Sequence, residues 1–220
     1  MKRRSWVAAA AFGSLALLLM VLGAAIRPLV IPDTPSPTVI LNETEIGFVQ
    51  DMTAHHQQAL VMVQRLRQAD DPTVLRLAQQ IADSQRLEIG MMLGWLRLAG
   101  TTSTNPHPMA WMHDTDHQAQ SSHHQATSTT AAPTAAAMPG MASRAELDAL
   151  SAASGRDADT LFLKLMQRHH YGGIAMAQAA DEQLDGGPVE QIARDMISTQ
   201  SQEAGLIGLL LAQRSAWTPE

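Results

Sequence analysis

The sequence predicts an all-α protein, a four-helix bundle built from two duplicated helical hairpins. Long stretches carry apolar residues at helical spacing, in two pairs separated by turn residues. An ordered motif with a His-His pair occurs once in each half. Aromatic residues make up only 4% of the chain, which helix seams packed with Leu, Ile, Met and Ala tolerate. Together these features favour a pseudo-symmetric bundle.

The N-terminus is predicted to be a membrane anchor. Residues 5–26 carry no charge, and as a helix they would span about 33 Å against a hydrocarbon core of about 30 Å. Basic residues at 2–4 precede the run and only Arg27 follows it, which places the rest of the chain outside the cytoplasmic membrane. A cleaved signal peptide is the alternative, because residues 23–25 are small; the protein would then be secreted.

The first hairpin is predicted from its helix start signals. Asn42 is a good N-cap with Glu45 three residues on, so a helix should run from there to about Ala69. Asp71-Pro72 combines an N-cap with a first-turn proline and should open a second helix that ends near Leu98. The short joint between the two helices makes them antiparallel.

The second hairpin follows a segment of different composition. Residues 101–142 are rich in Ser, Thr, Pro, Ala and His and should form a disordered linker. Ser143 and Glu146 form a capping-box pattern that opens a short helix, followed by a long helix over about 157–184 and a last helix over about 188–214. The predicted organisation is a membrane anchor or signal at 1–27, a Pro-rich spacer at 28–41, the first hairpin at 42–100, the linker at 101–142, and the short helix with the second hairpin at 143–214.

The two hairpins match in sequence, and the matches in their first long helices share a spacing of 114 residues. The matching pairs are Phe48/Phe162, Met52/Met166, His55/His169, His56/His170, Met62/Met176 and Gln64/Gln178. In the partner helices Gln85 and Glu88 match Gln200 and Glu203 at a spacing of 115 residues. Matches in this order predict that one hairpin arose by duplication of the other.

The repeated motif also places metal-binding side chains on one apolar face of a helix, within an arc of about 120°. Imidazole nitrogens and thioether sulfurs are ligands for soft or borderline metals, with Cu(I) favoured and Cu(II) and Ag(I) as alternatives. The candidate metal ligands are Met52, His55, His56, Met62, Met166, His169, His170 and Met176. The candidates that would orient the imidazoles are Gln85, Glu88, Gln200 and Glu203. Because protonated imidazole does not ligate, binding should weaken as pH falls through about 6.5.

The linker holds a second set of metal-ligating residues, which predicts loose auxiliary metal capture. Its members are His107, Met109, Met112, His113, His117, His123, His124, Met138 and Met141. The alternative interpretation of both sets is structural: Met at helical spacing commonly fills a core, a buried His is commonly a hydrogen-bonded structural residue, and a His-containing spacer is commonly solvated.

Composition excludes several other functions. The chain has no Cys, so disulfides, thiol nucleophiles and Cys-ligated metals are excluded, and a soft metal must be held by Met and His. The formal net charge is −6, and the first 27 residues carry four basic and no acidic residues, so the remainder carries −10, which argues against nucleic-acid binding. The Glu-x-x-His pattern of di-iron bundles is absent, and so are phosphate-loop and nucleophile-elbow motifs.

Four motifs together are typical of one known family. They comprise MTAHHQQALVM at 52–62, the pattern Ile81, Gln85, Glu88, Ile89, Met92, Trp95-Leu96, then MPGM at 138–141 and FLKLMQRHHYGGIAMA at 162–177. With these motifs the sequence resembles domain-of-unknown-function family 305. The resemblance spans about residues 42–212 and implies an exported, ferritin-like bacterial bundle that binds copper or silver through the eight candidate ligands. The second motif departs from the first at Tyr171-Gly172, where the first has Gln57-Gln58.

The leading hypothesis is therefore an exported, membrane-anchored protein that buffers or sequesters copper, with silver as the second candidate. It is predicted to be a binding protein without enzymatic activity, whose partners are a metal ion and the membrane. Two alternatives stay open: a structural or interaction bundle without metal, and a metal-dependent redox enzyme.

Overall fold

The computed structural model describes residues 14–15, 17–22, 40–113 and 138–216, and these contain helices and no strand. The chain divides into two compact units, residues 1–39 and 40–220. In the first unit residues 14–15 and 17–22 are helical, and the other positions of the predicted anchor lie outside the described residues. Within the described part of the chain, no helix combines the length and apolarity that a membrane span requires. The anchor stays a prediction.

The first hairpin consists of helix α1 (Glu43–Arg65) and helix α2 (Pro72–Leu98). Asn42 and Glu45 form a reciprocal capping box, and the Asp71 side chain accepts a hydrogen bond from the backbone N–H of Thr73. Both predicted helix starts are confirmed. The joint is longer than predicted because α1 ends at Arg65, several residues before the predicted end.

The second hairpin follows a short helix, α3 (Arg144–Ala152), and consists of α4 (Gly155–Gln183) and α5 (Pro188–Ala216). The predicted capping box of Ser143 and Glu146 is present at the start of α3. Gly186 and Gly187 adopt φ values of +97° and +99°, which side chains disfavour, so the glycine pair permits the turn into α5.

The bundle is all-α, with its core in two apolar clusters. Helix α1 packs against α2, α4 packs against α5, and α1 and α4 pack against each other. The cluster that we call the upper core includes Phe48, Met52, Met92, Met176 and Met196. The cluster that we call the lower core includes Met62, Ile81, Phe162, Met166 and Ile207. Each cluster draws on both hairpins, so burial of apolar surface holds the hairpins together.

Residues 101–113 differ from the predicted disordered linker, since they pack on α1. The buried Asp51 carboxylate accepts hydrogen bonds from Asn105 Nδ2 at 3.0 Å, the Met109 N–H at 2.7 Å and Trp111 Nε1 at 2.9 Å. The Trp111 ring lies edge-to-face on Phe48 with the centroids 5.5 Å apart. These buried contacts offset the entropy of ordering the segment. Residues 114–137 lie outside the described residues.

Candidate metal centre

A buried polar layer separates the upper and lower cores along all four long helices. It contains the four paired histidines and the four residues predicted to orient them. These are His55 and His56 on α1, Gln85 and Glu88 on α2, His169 and His170 on α4, and Gln200 and Glu203 on α5. All four histidines are 0% exposed. The structure therefore brings these eight predicted residues together at one level of the bundle.

The imidazole rings form a row across the α1–α4 contact. His55 and His169 stack, with ring centroids 3.8 Å apart and planes inclined by 29°. His56 lies 6.3 Å from His55, and His170 lies 6.2 Å from His169, measured between ring centroids. The row thus crosses from one hairpin to the other. Its shortest distance between ring centroids is the one between His55 and His169, which belong to different hairpins.

Each imidazole uses its Nε2 atom for a hydrogen bond. His56 Nε2 lies 2.6 Å from Glu88 Oε2, and His170 Nε2 lies 2.7 Å from Glu203 Oε2, so the two glutamates orient these rings. For the two inner rings the partners are backbone carbonyls. His55 Nε2 donates to the Pro139 oxygen at 3.0 Å, and His169 Nε2 donates to the His55 oxygen at 2.9 Å.

The opposite nitrogens have no hydrogen-bond partner in the described part of the chain. Among the described residues, ten buried side-chain nitrogen and oxygen atoms have no hydrogen-bond partner, and eight of them lie in this layer. They are the Nδ1 atoms of the four histidines and both amide atoms of Gln85 and of Gln200. Leaving a buried polar group unpaired costs about 1–3 kcal/mol. The layer therefore carries a stability cost that a purely structural core would avoid.

Burial keeps the two inner rings neutral. Loss of hydration, followed by repulsion from His56, lowers the pKa of His55 to about 3. Loss of hydration, followed by repulsion from His55 and His170, holds the pKa of His169 well below its ordinary value. A neutral imidazole that donates from Nε2 has its lone pair on Nδ1. At neutral pH both inner rings therefore present a ligand atom without a partner.

The predicted methionine ligands flank the layer, one pair on each side. All four are 0% exposed. Met52 and Met176 belong to the upper core, whereas Met62 and Met166 belong to the lower core. Each pair thus combines one residue from each hairpin. The two methionines that the motif placed in the same half-site lie in different clusters.

The upper core also takes up methionines from the predicted linker set. Met109 and Met138 are buried in it, and Met112 and Met141 pack against it. His107 is exposed, and His117, His123 and His124 lie outside the described residues, as does the side chain of His113. Of the described residues, no three His, Asp or Glu side chains are grouped so that they could hold one metal ion. A site here would depend on thioethers as well as imidazoles.

Sequence reasoning missed two buried groups, the partner of His55 and the Asp51 carboxylate. The Pro139 partner of His55 is a backbone carbonyl, which no side-chain motif reveals. Asp51 lies near the start of α1, where a carboxylate is typically solvated, but it is 1% exposed and anchors residues 105–111. The MPGM string at 138–141 contains Pro139, and it was the sequence feature that could have pointed to this contact.

Comparisons with known proteins agree with this architecture. The family model described as "Domain of unknown function (DUF305)" matches residues 45–210. A candidate secreted DUF305 protein from Streptomyces coelicolor has a solved structure with 35% sequence identity and a TM-score of 0.65, covering 80% of this chain and 96% of that one. A DUF305 fragment from Deinococcus radiodurans has 32% identity and a TM-score of 0.61, covering 78% and 97%.

The fold also matches that of CopM. Its Cu(I)-bound form has 24% identity and a TM-score of 0.53 and covers 78% of this chain and 98% of that one. Its Cu(II)-bound form has 22% identity and a TM-score of 0.52, covering 77% and 96%. No curated protein matches the sequence.

Proposed function

The chain belongs to the DUF305 family, and from that premise we propose that it is an extracytoplasmic copper-binding protein that buffers or sequesters the metal. The observation that carries the proposal is the buried layer in which four imidazole Nδ1 atoms have no partner in the part of the chain that the structure describes. Coordination of an ion would recover the interaction that these atoms lack. The likeness to a family protein described as secreted supports a location outside the cytoplasmic membrane.

We assign copper in its Cu(I) state, because the donors near the layer are soft. Thioethers and imidazoles suit Cu(I), and Ag(I) shares this preference, whereas Cu(II) would use the imidazoles. The proposed ligands are the eight predicted residues, Met52, His55, His56, Met62, Met166, His169, His170 and Met176. The cluster membership of the methionines favours ions shared between the hairpins over one closed site in each. The structures of CopM with Cu(I) and Cu(II) support copper for a bundle of this fold.

The matching positions of the two hairpins support a duplication. His56 with Glu88 and His170 with Glu203 make the same contact at nearly the same distance, in positions that the sequence match equates. We propose that the two hairpins form a ferritin-like, pseudo-symmetric bundle whose polar layer was doubled together with the helices.

Anaerobic competition of the purified full chain with a Cu(I) chelator tests the function. The informative variant is His55→Phe with His169→Phe, which keeps two stacked rings and removes four ring nitrogens. We expect its affinity for Cu(I) to fall by at least about tenfold. The matched control, His107→Phe, changes an exposed histidine and should bind as the parent does.

Two outcomes would contradict the proposal. If the parent binds no copper, the bundle has a structural or interaction role. If the folded double variant binds copper as tightly as the parent, the polar layer is not the site, and the histidines and methionines of residues 107–141 become the candidates. Thermal unfolding of each variant shows whether it is folded.

A further inference from the structure

A short segment contacts both α1 and α4 beside the stacked histidines. We call residues 138–142 the strap. Its Pro139 carbonyl oxygen accepts the hydrogen bond from His55 Nε2 at 3.0 Å. At its far end Gln58 Nε2 donates to the Ala142 oxygen at 2.9 Å, and the Ala142 N–H donates to Gln58 Oε1 at 2.5 Å. The strap is thus fixed on α1 at two points.

Glycines fix the strap on α4. A Cβ atom at Gly172 would overlap the Pro139 carbonyl, closer than real Cβ atoms approach any neighbour. A Cβ at Gly140, where φ is +76°, would meet the backbone oxygen of Arg168 in the same way. Glycine in a helix interior weakens the helix, so Gly172 in the middle of α4 requires a packing reason. Contact with the strap supplies it.

The strap docks where the repeated motif is interrupted. Gln58 and Gly172 occupy equivalent positions in the two halves, since they are 114 residues apart like the paired histidines. The Gln58 side chain forms hydrogen bonds with Ala142. Gly172 has no side chain, which allows the Pro139 carbonyl to lie directly against α4. The two motifs therefore differ at the position where each of them contacts the strap.

The Pro139 contact decides which nitrogen of His55 is free. A carbonyl oxygen only accepts, so Nε2 of His55 carries the proton and Nδ1 carries the lone pair. That Nδ1 atom is buried and has no partner within residues 40–113 and 138–216. We infer that the Pro139 carbonyl, held by Gly172 and Gln58, is a positioning group that fixes His55 as the Nε2–H tautomer and so presents Nδ1 to a soft metal ion. The inference has two halves. The positioning half is that the Pro139 carbonyl fixes the tautomer of His55. The ligand half is that Nδ1 then binds a metal ion, and this half rests on the proposed function.

Histidine ¹⁵N NMR on the full chain tests the inference, with Ag(I) as a diamagnetic probe. In the parent without metal, long-range ¹H–¹⁵N spectra should show His55 protonated at Nε2. Silver should shift the Nδ1 resonance and leave Nε2 protonated. In Gly172→Ala the displaced carbonyl should no longer hold this tautomer, and Ag(I) affinity should fall by about 10–100-fold, as is typical when a residue that orients a ligand is lost.

Two further variants separate this effect from general damage. Gly205→Ala makes the same change in α5, where an added Cβ meets nothing within 4 Å, and should leave both the His55 tautomer and silver binding unchanged. Gln58→Ala releases the other anchor of the strap without adding a clash. It should weaken the tautomer preference in the same direction, and it serves as the test if Gly172→Ala does not fold.

A proton on Nδ1 of His55 in the parent would overturn the inference, as would silver binding at Nε2 or an unchanged His55 tautomer in a folded strap variant. If silver shifts no histidine resonance of the parent, the ligand half of the inference fails, and the Cu(I) competition decides separately whether the proposed function fails with it. The tautomer of His55 in the parent and in the strap variants still supports or overturns the positioning half, so the two failures are distinguishable.

Discussion

The buried histidines show how a residue can be packed as core and still have a reactive atom. His55 and His169 stack at van der Waals distance and each satisfies one nitrogen with a backbone carbonyl. Their other nitrogens find no partner among the described residues. The sequence predicted the residue types and their common face, because these follow from helical periodicity. It did not predict the tautomer, because the partners are backbone atoms of distant segments.

Acid should destabilise the metal-free protein through these two residues. In the unfolded chain histidine takes up a proton near pH 6.5, whereas in the folded chain the pKa of His55 is about 3 and that of His169 is also strongly lowered. Between these values the unfolded state binds more protons, so stability falls as pH decreases from 6.5. Each residue should cost about 1.4 kcal/mol per pH unit in that range.

Urea unfolding at several pH values between 6.5 and 4.5 measures this loss. The carboxyl of Glu146, whose pKa the Arg168 guanidinium lowers to about 2, begins to contribute only near its ordinary value of 4.5. Replacing His55 and His169 by Phe should reduce the slope of the unfolding free energy against pH by the equivalent of about two protons. His107→Phe should leave that slope unchanged. An equally steep dependence in the folded double variant would show that other groups carry it.

The lowered pKa also changes the expected pH range of metal binding. From unperturbed histidine values the sequence predicted weaker binding as pH falls through about 6.5. Protons compete less well for a nitrogen whose pKa is near 3. Coordination by the inner rings should therefore persist at more acid pH than the sequence alone predicts.

At the scale of the elements, local capping residues predicted the helix starts, whereas buried long-range contacts determine that residues 101–113 are ordered. The caps at Asn42, Asp71 and Ser143 are short-range signals and all are present. Residues 101–113 lack any periodic pattern, so composition alone indicated disorder. Their order depends on one buried carboxylate and on Trp111, a long-range contact that composition does not reveal.

Asp51→Ala should release this segment from α1. The substitution removes the acceptor of three hydrogen bonds and leaves the Trp111 and Met109 donors unpaired. We expect a loss of about 3 kcal/mol in the free energy of unfolding, because hydrogen bonds to a charged acceptor are the stronger ones. Hydrogen exchange across residues 101–113 should accelerate.

Asp83→Ala is the control, since Asp83 is an exposed α2 residue whose carboxylate pairs with Arg86 on the surface. Its effect should stay within about 0.5 kcal/mol. If exchange in residues 101–113 stays slow in Asp51→Ala, the other contacts of the segment, such as the packing of Trp111 on Phe48 and the hydrogen bond from Gln50 to the Thr102 carbonyl, hold it without the carboxylate.

At the scale of the whole molecule, the sequence predicted the hairpins better than their pairing. Periodicity and the repeat indicate which faces are buried, so the polar layer could be predicted residue by residue. Periodicity does not say which methionines meet, because that depends on how α1 and α4 run past each other. The structure places Met52 and Met176 in the upper core and Met62 and Met166 in the lower core, so each cluster holds one of these methionines from each hairpin.

This pairing predicts that the hairpins stay together when the chain between them is cut. Both core clusters contain residues of each hairpin, and the His55–His169 stack lies between them. At one pole Arg214 of α5 lies 2.5 Å from the Asp71 carboxylate at the start of α2, which adds a polar link between the hairpins. A protease site introduced near residue 125 should therefore yield two fragments that elute together on gel filtration and unfold in one cooperative transition.

The same cleavage after His55→Phe and His169→Phe should give the same result, because apolar burial in the two clusters, not the histidines, supplies most of the association energy. Separation of the parent fragments under native conditions would show that the hairpins are independent units and that the polar layer is assembled only while the chain is intact.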